Sequence, residues 1–126
     1  MRQMMVCAIV LLCLASCAVT IRNDRGGQVV DYAIKARQAK AVRFDGKCQS
    51  ACTLYLSSAN TCITPRASFW FHHPYGGTPE QNRTAARHMM AVYPLWVREW
   101  INARGGLTSN WLVLPYSLVR KHMRTC

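Results

Sequence analysis

Of the 126 residues, a small set could do covalent chemistry together. Ser50 stands in Gly46-Lys47-Cys48-Gln49-Ser50-Ala51-Cys52, between an extended segment and a run of small residues. His72 closes Ser68-Phe69-Trp70-Phe71, which has the composition of a strand. Gly26-Gly27 follows one extended segment and opens an amphipathic one, where the free amides of a helix start form an anion site. A hydroxyl, an imidazole and a pair of amides are the parts of acyl transfer. The hydroxyl attacks, the imidazole takes its proton, and the amides hold the oxyanion. His73 is a rival base: on an alternating strand it would face away from His72, so one histidine alone could meet Ser50. A metal held by both would need a third ligand, which the sequence does not offer. No metal or cofactor is expected.

The elements that must position these groups follow from pattern. Val19-Thr20-Ile21 begins a strand that ends in the turn Asn23 to Gly27. Val29, Val30, Ala33, Ile34 and Ala36 recur at helical spacing, which predicts a helix over 28–40. Ala41 to Phe44 reads as a short strand closed by Asp45-Gly46. Ala51 to Ala59 reads as a helix, although Thr53, Leu54 and Tyr55 would also serve a strand, and Cys62-Ile63 and Ser68 to Phe71 read as strands. Thr78-Pro79-Glu80 has the grammar of a helix start, and Pro94 ends that helix after Tyr93. Leu95 to Arg104 is a second helix, stopped by Gly105-Gly106. Trp111 to Leu114 is a last strand, and Pro115 to His122 a last helix. Alternation of strands and helices predicts an α/β domain with a parallel sheet and crossover helices. Sites in such sheets form at the carboxyl ends of the strands.

Residues 1–18 have the charged start, apolar run and small-residue close of a secretory signal, which assigns 19–126 to the folded domain. Leu14-Ala15-Ser16-Cys17 also has the form of a lipobox, which would anchor the chain to a membrane through Cys17. Either reading places the protein in the periplasm or outside the cell. Cys48, Cys52, Cys62 and Cys126 then remain, an even count that in an oxidising compartment implies two disulfides. Their spacing matches no common zinc site. A helix over 51–59 would separate Cys52 from Cys62 by more than a disulfide can span, so the pairs expected are Cys48–Cys52 and Cys62–Cys126.

Composition sets the outer bounds. The chain is 51% hydrophobic and 17% charged, which excludes a disordered chain and a coiled coil. With 16 Lys+Arg against 5 Asp+Glu the formal charge is +11, which favours acidic partners. The bases are scattered from Arg22 to Arg124, so a solvated basic surface is expected and a nucleic-acid groove is not. Trp96 and Trp100, four residues apart on a helix, should face the core.

The order Gly-Gly, Ser before a small-residue helix, then His before Pro resembles the Clp protease proteolytic subunit and its Clp/crotonase superfamily. Pro65 to Gly77, with Phe71-His72-His73-Pro74-Tyr75-Gly76-Gly77, is similar to that family's segment around its catalytic histidine. Ser50 to Ala59 is similar to its nucleophile segment. The likeness covers about Ile21 to Leu114. It is nearest to small exported Clp-protease-like proteins of bacteria, which pair a Cys-x-Ser-Ala-Cys segment with a later Phe-His. The resemblance implies a serine peptidase or hydrolase acting on a peptide or related acyl bond. Ser50 would be nucleophile, His72 base, and the amides of Gly26 and Ala51 the oxyanion hole.

Two positions depart from that pattern. Arg25 replaces the proline expected before Gly-Gly and adds a cation beside the oxyanion site. The expected catalytic Asp has no match in Thr108-Ser109-Asn110-Trp111. Asn110 could orient a neutral imidazole but would not stabilise its cation, and in serine proteases losing that carboxylate costs about 10⁴ in rate. An acid supplied by a second copy would require a homo-oligomer, which the sequence leaves open. The family's long N-terminal part is missing, so the activity expected is independent of ATP and of a Clp unfoldase. The alternative reading is a degenerate, non-catalytic domain of the bacterial envelope that binds a peptide or partner in the same cleft.

Overall fold

A computed structural model describes residues 18–126. The signal and lipobox readings, with Cys7, Cys13 and Cys17, fall outside the described residues, except that Ala18 opens the first strand. In chain order the elements are β1 (Ala18–Asp24), α1 (Val29–Gln38), β2 (Ala41–Gln49) and a 3₁₀ helix (Ser50–Ser57). After them come β3 (Thr61–Ile63), β4 (Ser68–Phe71), α2 (Pro79–Val92), α3 (Leu95–Asn102), β5 (Leu112–Pro115) and α4 (Tyr116–Val119). All belong to one α/β unit with a single five-stranded sheet.

The sheet runs β1-β2-β4-β5, and β3 also pairs with β2. β3 lies beside Val42 to Phe44 and β4 beside Lys47 to Gln49, so β2 is the spine that both share. Those pairs and β1–β2 are parallel, whereas β4–β5 is antiparallel. The wholly parallel sheet expected from element order is therefore corrected at its last strand. Two helices broken at Pro94 separate β4 from β5, and the single crossover that makes neighbours parallel is absent there. An antiparallel edge on a parallel sheet is a common outcome.

Two local expectations also change. Asp45-Gly46 does not close a strand; β2 continues through it to Gln49. The register shifts between Ile21 and Asn23 of β1, and a Cβ on Gly46 would collide with the Arg22 carbonyl. Gly46 thus lets two strands touch at an irregular step, which in sequence has the look of a turn. The segment expected as an α-helix after Ser50 is a 3₁₀ helix, fully buried from Ala51 to Leu56. α2 starts as expected, with Thr78 accepting from the Gln81 amide at 3.2 Å and Gln81 Oε1 accepting from the Thr78 amide at 2.9 Å.

Burial alternates at both ends of β2, interrupted where Phe44, Asp45 and Gly46 are all buried. Val42, Phe44 and Cys48 are buried, while Arg43, Lys47 and Gln49 look the other way. On β4, Phe69 and Phe71 are buried and Ser68 and Trp70 are only partly covered. The inner face meets the helices in a core where Phe44 lies edge-on to Phe69 at 4.8 Å and Phe71 to Tyr93 at 5.4 Å. Trp96 and Trp100 sit half-buried at the rim of this core, Trp100 beside Phe71 and Trp96 stacked on His122 at 4.3 Å. No described element lies over Arg43, Trp70 and Val113 on the outer face of β2, β4 and β5, and they stand wholly or partly in solvent.

The disulfides join Cys48 to Cys52 and Cys62 to Cys126, with Cα separations of 5.4 and 4.9 Å. The second closes a long loop, worth roughly 4–5 kcal/mol in the chain-entropy account. It also holds the tail against β3, where Cys126 donates to the Ile63 carbonyl at 2.9 Å and Ile63 donates to that of Arg124 at 3.1 Å. Two disulfides fit an oxidising, extracellular or periplasmic environment. No described helix is long and apolar enough to cross a membrane.

Buried Asp45 fastens β2 to the β3–β4 loop: it accepts from the Thr64 hydroxyl at 2.7 Å and from two nitrogens of Arg66. These bonds, Thr64 first and Arg66 next, hold its carboxyl below the usual 3.8. A depressed carboxyl stabilises the fold above its unfolded pKa, and the contribution is lost as pH falls through the folded value. Denaturant midpoints of the native chain should therefore fall below about pH 4, and Asp45→Asn, weaker at neutral pH, should show a shallower acid limb. Parallel limbs in the two proteins would show that Asp45 has no such role.

Candidate active site

β2 ends at Gln49 and the chain turns sharply at Ser50, which has φ 55°, the one positive value at a non-glycine position among the described residues. This left-handed conformation costs an L-residue with a Cβ about 1–2 kcal/mol, and it persists because the surroundings impose it. The Cys48–Cys52 disulfide brackets the turn. Beneath it, the Thr53 hydroxyl donates to the Ser50 carbonyl at 2.6 Å. Its single proton being used there, Thr53 Oγ1 accepts from the Tyr93 hydroxyl, also at 2.6 Å. Tyr93 is buried at the end of α2, and burial pushes its phenol well above the ordinary range. A serine elbow, a disulfide and a helix end are thus tied into one unit.

The Gly26-Gly27 turn packs directly on this elbow. A Cβ on Gly26 would lie 2.6 Å from the Gln49 carbonyl and 3.0 Å from both the Ala51 nitrogen and the Ser50 Cβ. Gly26 also has φ 84°, so only glycine meets both demands. Asp24 sets the turn. Its Oδ1 accepts from the Gly26 amide at 2.8 Å and from the Tyr32 hydroxyl at 2.7 Å. This corrects the expectation that Gly26 supplies an oxyanion donor, because its N–H is already spent. The Gly27 amide has no hydrogen-bond partner among the described residues, and Gly27 lines the same cavity. Ala51 lies in the first turn of the 3₁₀ helix, where backbone N–H groups lack intrahelical partners.

His72 is buried beyond the end of β4. Its Nδ1 lies 2.7 Å from the His73 carbonyl oxygen. A carbonyl only accepts, so Nδ1 carries the proton and Nε2 keeps a lone pair. Trp111 meets the ring edge-on at 4.3 Å, and Tyr75 lies 5.4 Å away. His73 in turn is anchored by its amide, which donates to the Thr108 carbonyl at 2.6 Å.

One cavity of about 1200 Å³ brings Ser50, Gly26, Gly27 and His72 together. His73 lines it too. The two histidines were expected on opposite sides, but β4 ends at Phe71, so strand alternation no longer applies to them. Ala51, fully buried behind Ser50, and Asn110 do not line it. Asn110 lies outside. It is exposed, its amide donates to Thr108 Oγ1 at 3.2 Å, and its neighbours Ser109 and Trp111 line the cavity instead. The His73 carbonyl occupies the role foreseen for it. Cys48 and Cys52 support the elbow, while Cys62 and Cys126 belong to the β3 edge. No group of three His, Cys, Asp or Glu residues is placed to hold a metal among the described residues.

Several contributors went unforeseen. Asp24 two residues before Gly26 is a recognisable turn signal, whereas the Thr53–Tyr93 bond and the His73 carbonyl leave no mark in sequence. No protein-family model matches the chain, and no curated protein matches it, so function has to be read from this geometry.

Strain at Ser50 has a measurable consequence. Ser50→Gly should be more stable than Ser50→Ala by about 1 kcal/mol in equilibrium unfolding, since glycine tolerates the left-handed turn. Equal stabilities would mean that the elbow is unstrained.

Proposed function

We propose that this chain is an exported serine hydrolase or peptidase resembling the Clp protease proteolytic subunit, working without ATP or an unfoldase. The observation that carries the reading is the convergence on one cavity of a strained serine elbow, a buried histidine with a fixed tautomer, and the Gly26-Gly27 turn. In the reaction, Ser50 Oγ attacks the acyl carbon of a peptide or related bond while its proton passes to His72 Nε2. The tetrahedral oxyanion takes a hydrogen bond from the exposed Gly27 amide, and Ala51, buried just behind Ser50, is the second donor that the resemblance implies. Collapse expels the leaving group, which receives the proton from His72, and water then hydrolyses the acyl-enzyme by the same steps in reverse order.

The His73 carbonyl stands where the family has a carboxylate. It enforces the tautomer that a base requires, although a neutral dipole stabilises the imidazolium less than a charge does. The rate loss should be smaller than the roughly 10⁴ seen when the acid is replaced and the tautomer is wrong as well.

A second reading, a binding domain with a degenerate site, is favoured by the Ser50 hydroxyl making no hydrogen bond to a described residue. Resting enzymes, however, often tighten that bond only with substrate present. A fluorophosphonate probe separates the two readings. The expected result is labelling of Ser50 that vanishes in Ser50→Ala and drops sharply in His72→Ala. His73→Ala should keep most of it, since the backbone carbonyl survives the substitution. Folded, oxidised protein that takes no label would leave the binding domain standing.

A further inference from the structure

The basic residues that line the cavity are Arg25, Lys47, His72 and His73; no described Asp or Glu does. Its remaining polar side chains, among them Gln28, Gln49 and Asn82, are neutral. The Asp24 carboxylate behind the Gly26 turn offsets part of the charge of Arg25 and Lys47, and the balance is a positive potential, focused by the low-dielectric walls. Lys47 is also held in place. Its Nζ sits 3.7 Å over the Trp70 ring, a cation–π contact that fixes an otherwise flexible ammonium. Lys47 and Gln49 share one face of β2, which runs straight into Ser50, so Lys47 stands about 10 Å of strand from the elbow. Arg25 is joined to Gly26 and flanks the amides of the turn.

Building on the hydrolase reading above, we infer that the cleft selects an acidic peptide, one with a carboxylate within two or three residues of the scissile carbonyl. At about 3.4 Å per extended residue, that is the span over which Lys47 and Arg25 can meet a substrate anion while the acyl carbon rests at Ser50. Beside them the outer face carries the rings of Trp70 and Trp111, 5.9 Å apart.

Binding can be tested without turnover. In Ser50→Ala protein, a fluorescein-labelled peptide of alternating Ala and Glu should bind about 10-fold tighter than its Ala-Gln twin at about 0.15 M salt. Lys47→Gln should cut that preference to about 2-fold, and Arg25→Gln should weaken it as well. Arg120→Gln removes the same charge from an exposed site outside the cavity and should leave the preference intact. Equal binding of the twins, or an Arg120→Gln effect matching that of Lys47→Gln, would overturn the inference. Fluorophosphonate labelling of Ser50 reports on the hydrolase reading separately. Labelling without a Glu preference sinks the selectivity alone, and a Lys47-dependent Glu preference without labelling sinks the chemistry alone.

Discussion

The approach of Gly26 to the backbone at Gln49–Ala51 is the contact on which the rest of the site depends. Two segments twenty-odd residues apart in sequence touch main chain to main chain, with no room for even one methyl group. Parallel pairing of β1 with β2 brings their carboxyl ends side by side, and glycine closes the last gap. Three restraints converge on the contact from different directions: the Asp24 carboxylate on the turn, the Cys48–Cys52 bridge around the elbow, and the Thr53–Tyr93 bond beneath it. None of them is large. Together they hold Ser50 in a conformation that it would leave if free.

The domain is small for this task, and its stability comes from several sources. A parallel sheet ordinarily buries both faces, yet here the described helices cover only one. The apolar area that drives folding is reduced accordingly, in a chain short enough for that to matter. Covalent closure supplies some of the difference. Cys62–Cys126 restricts the unfolded chain and lays the tail along β3, so that the shortest parallel strand does not stand as a bare edge. Asp45 performs a similar service at the irregular step in β2, where Gly46 weakens the strand and the Arg66–Asp45–Thr64 cluster braces it.

Residue type and spacing disclosed most of what the sheet needs. Period-two burial in Ser68 to Phe71, the Thr78-Pro79 helix start and the reach of each cysteine are local properties, and the structure has them where the sequence implies. Two kinds of feature were illegible. The first is conformation imposed from a distance: Asp45-Gly46 reads as a turn because the glycine's partner, the Arg22 carbonyl, belongs to another strand. The orientation of β5 is of the same kind, since it depends on how two helices return the chain. The second is the use of backbone atoms as functional groups. Which amide is spent and which is free at Gly26-Gly27 depends on the Asp24 rotamer, and the acceptor for His72 Nδ1 is a carbonyl that every residue possesses. A search by side-chain type passes over both and settles on Asn110.

The carbonyl partner of His72 and the bases that line the cleft can be understood together. An acid against His72 would stabilise the imidazolium, but it would also place a negative charge where the proposed substrate brings its own. With only a carbonyl there, Arg25, Lys47 and the Gly27 amide act on whatever negative charge develops, offset in part by the Asp24 carboxylate behind the Gly26 turn. In the proposed reaction, that charge appears on the oxyanion at the moment the imidazole becomes a cation. A positive field favours the oxyanion. The carboxylate of an acidic substrate would supply near the imidazolium some of the negative charge that a carbonyl partner does not. On the proposed reading, the carbonyl against His72 and an acidic substrate therefore belong together, because the substrate would help to complete the site.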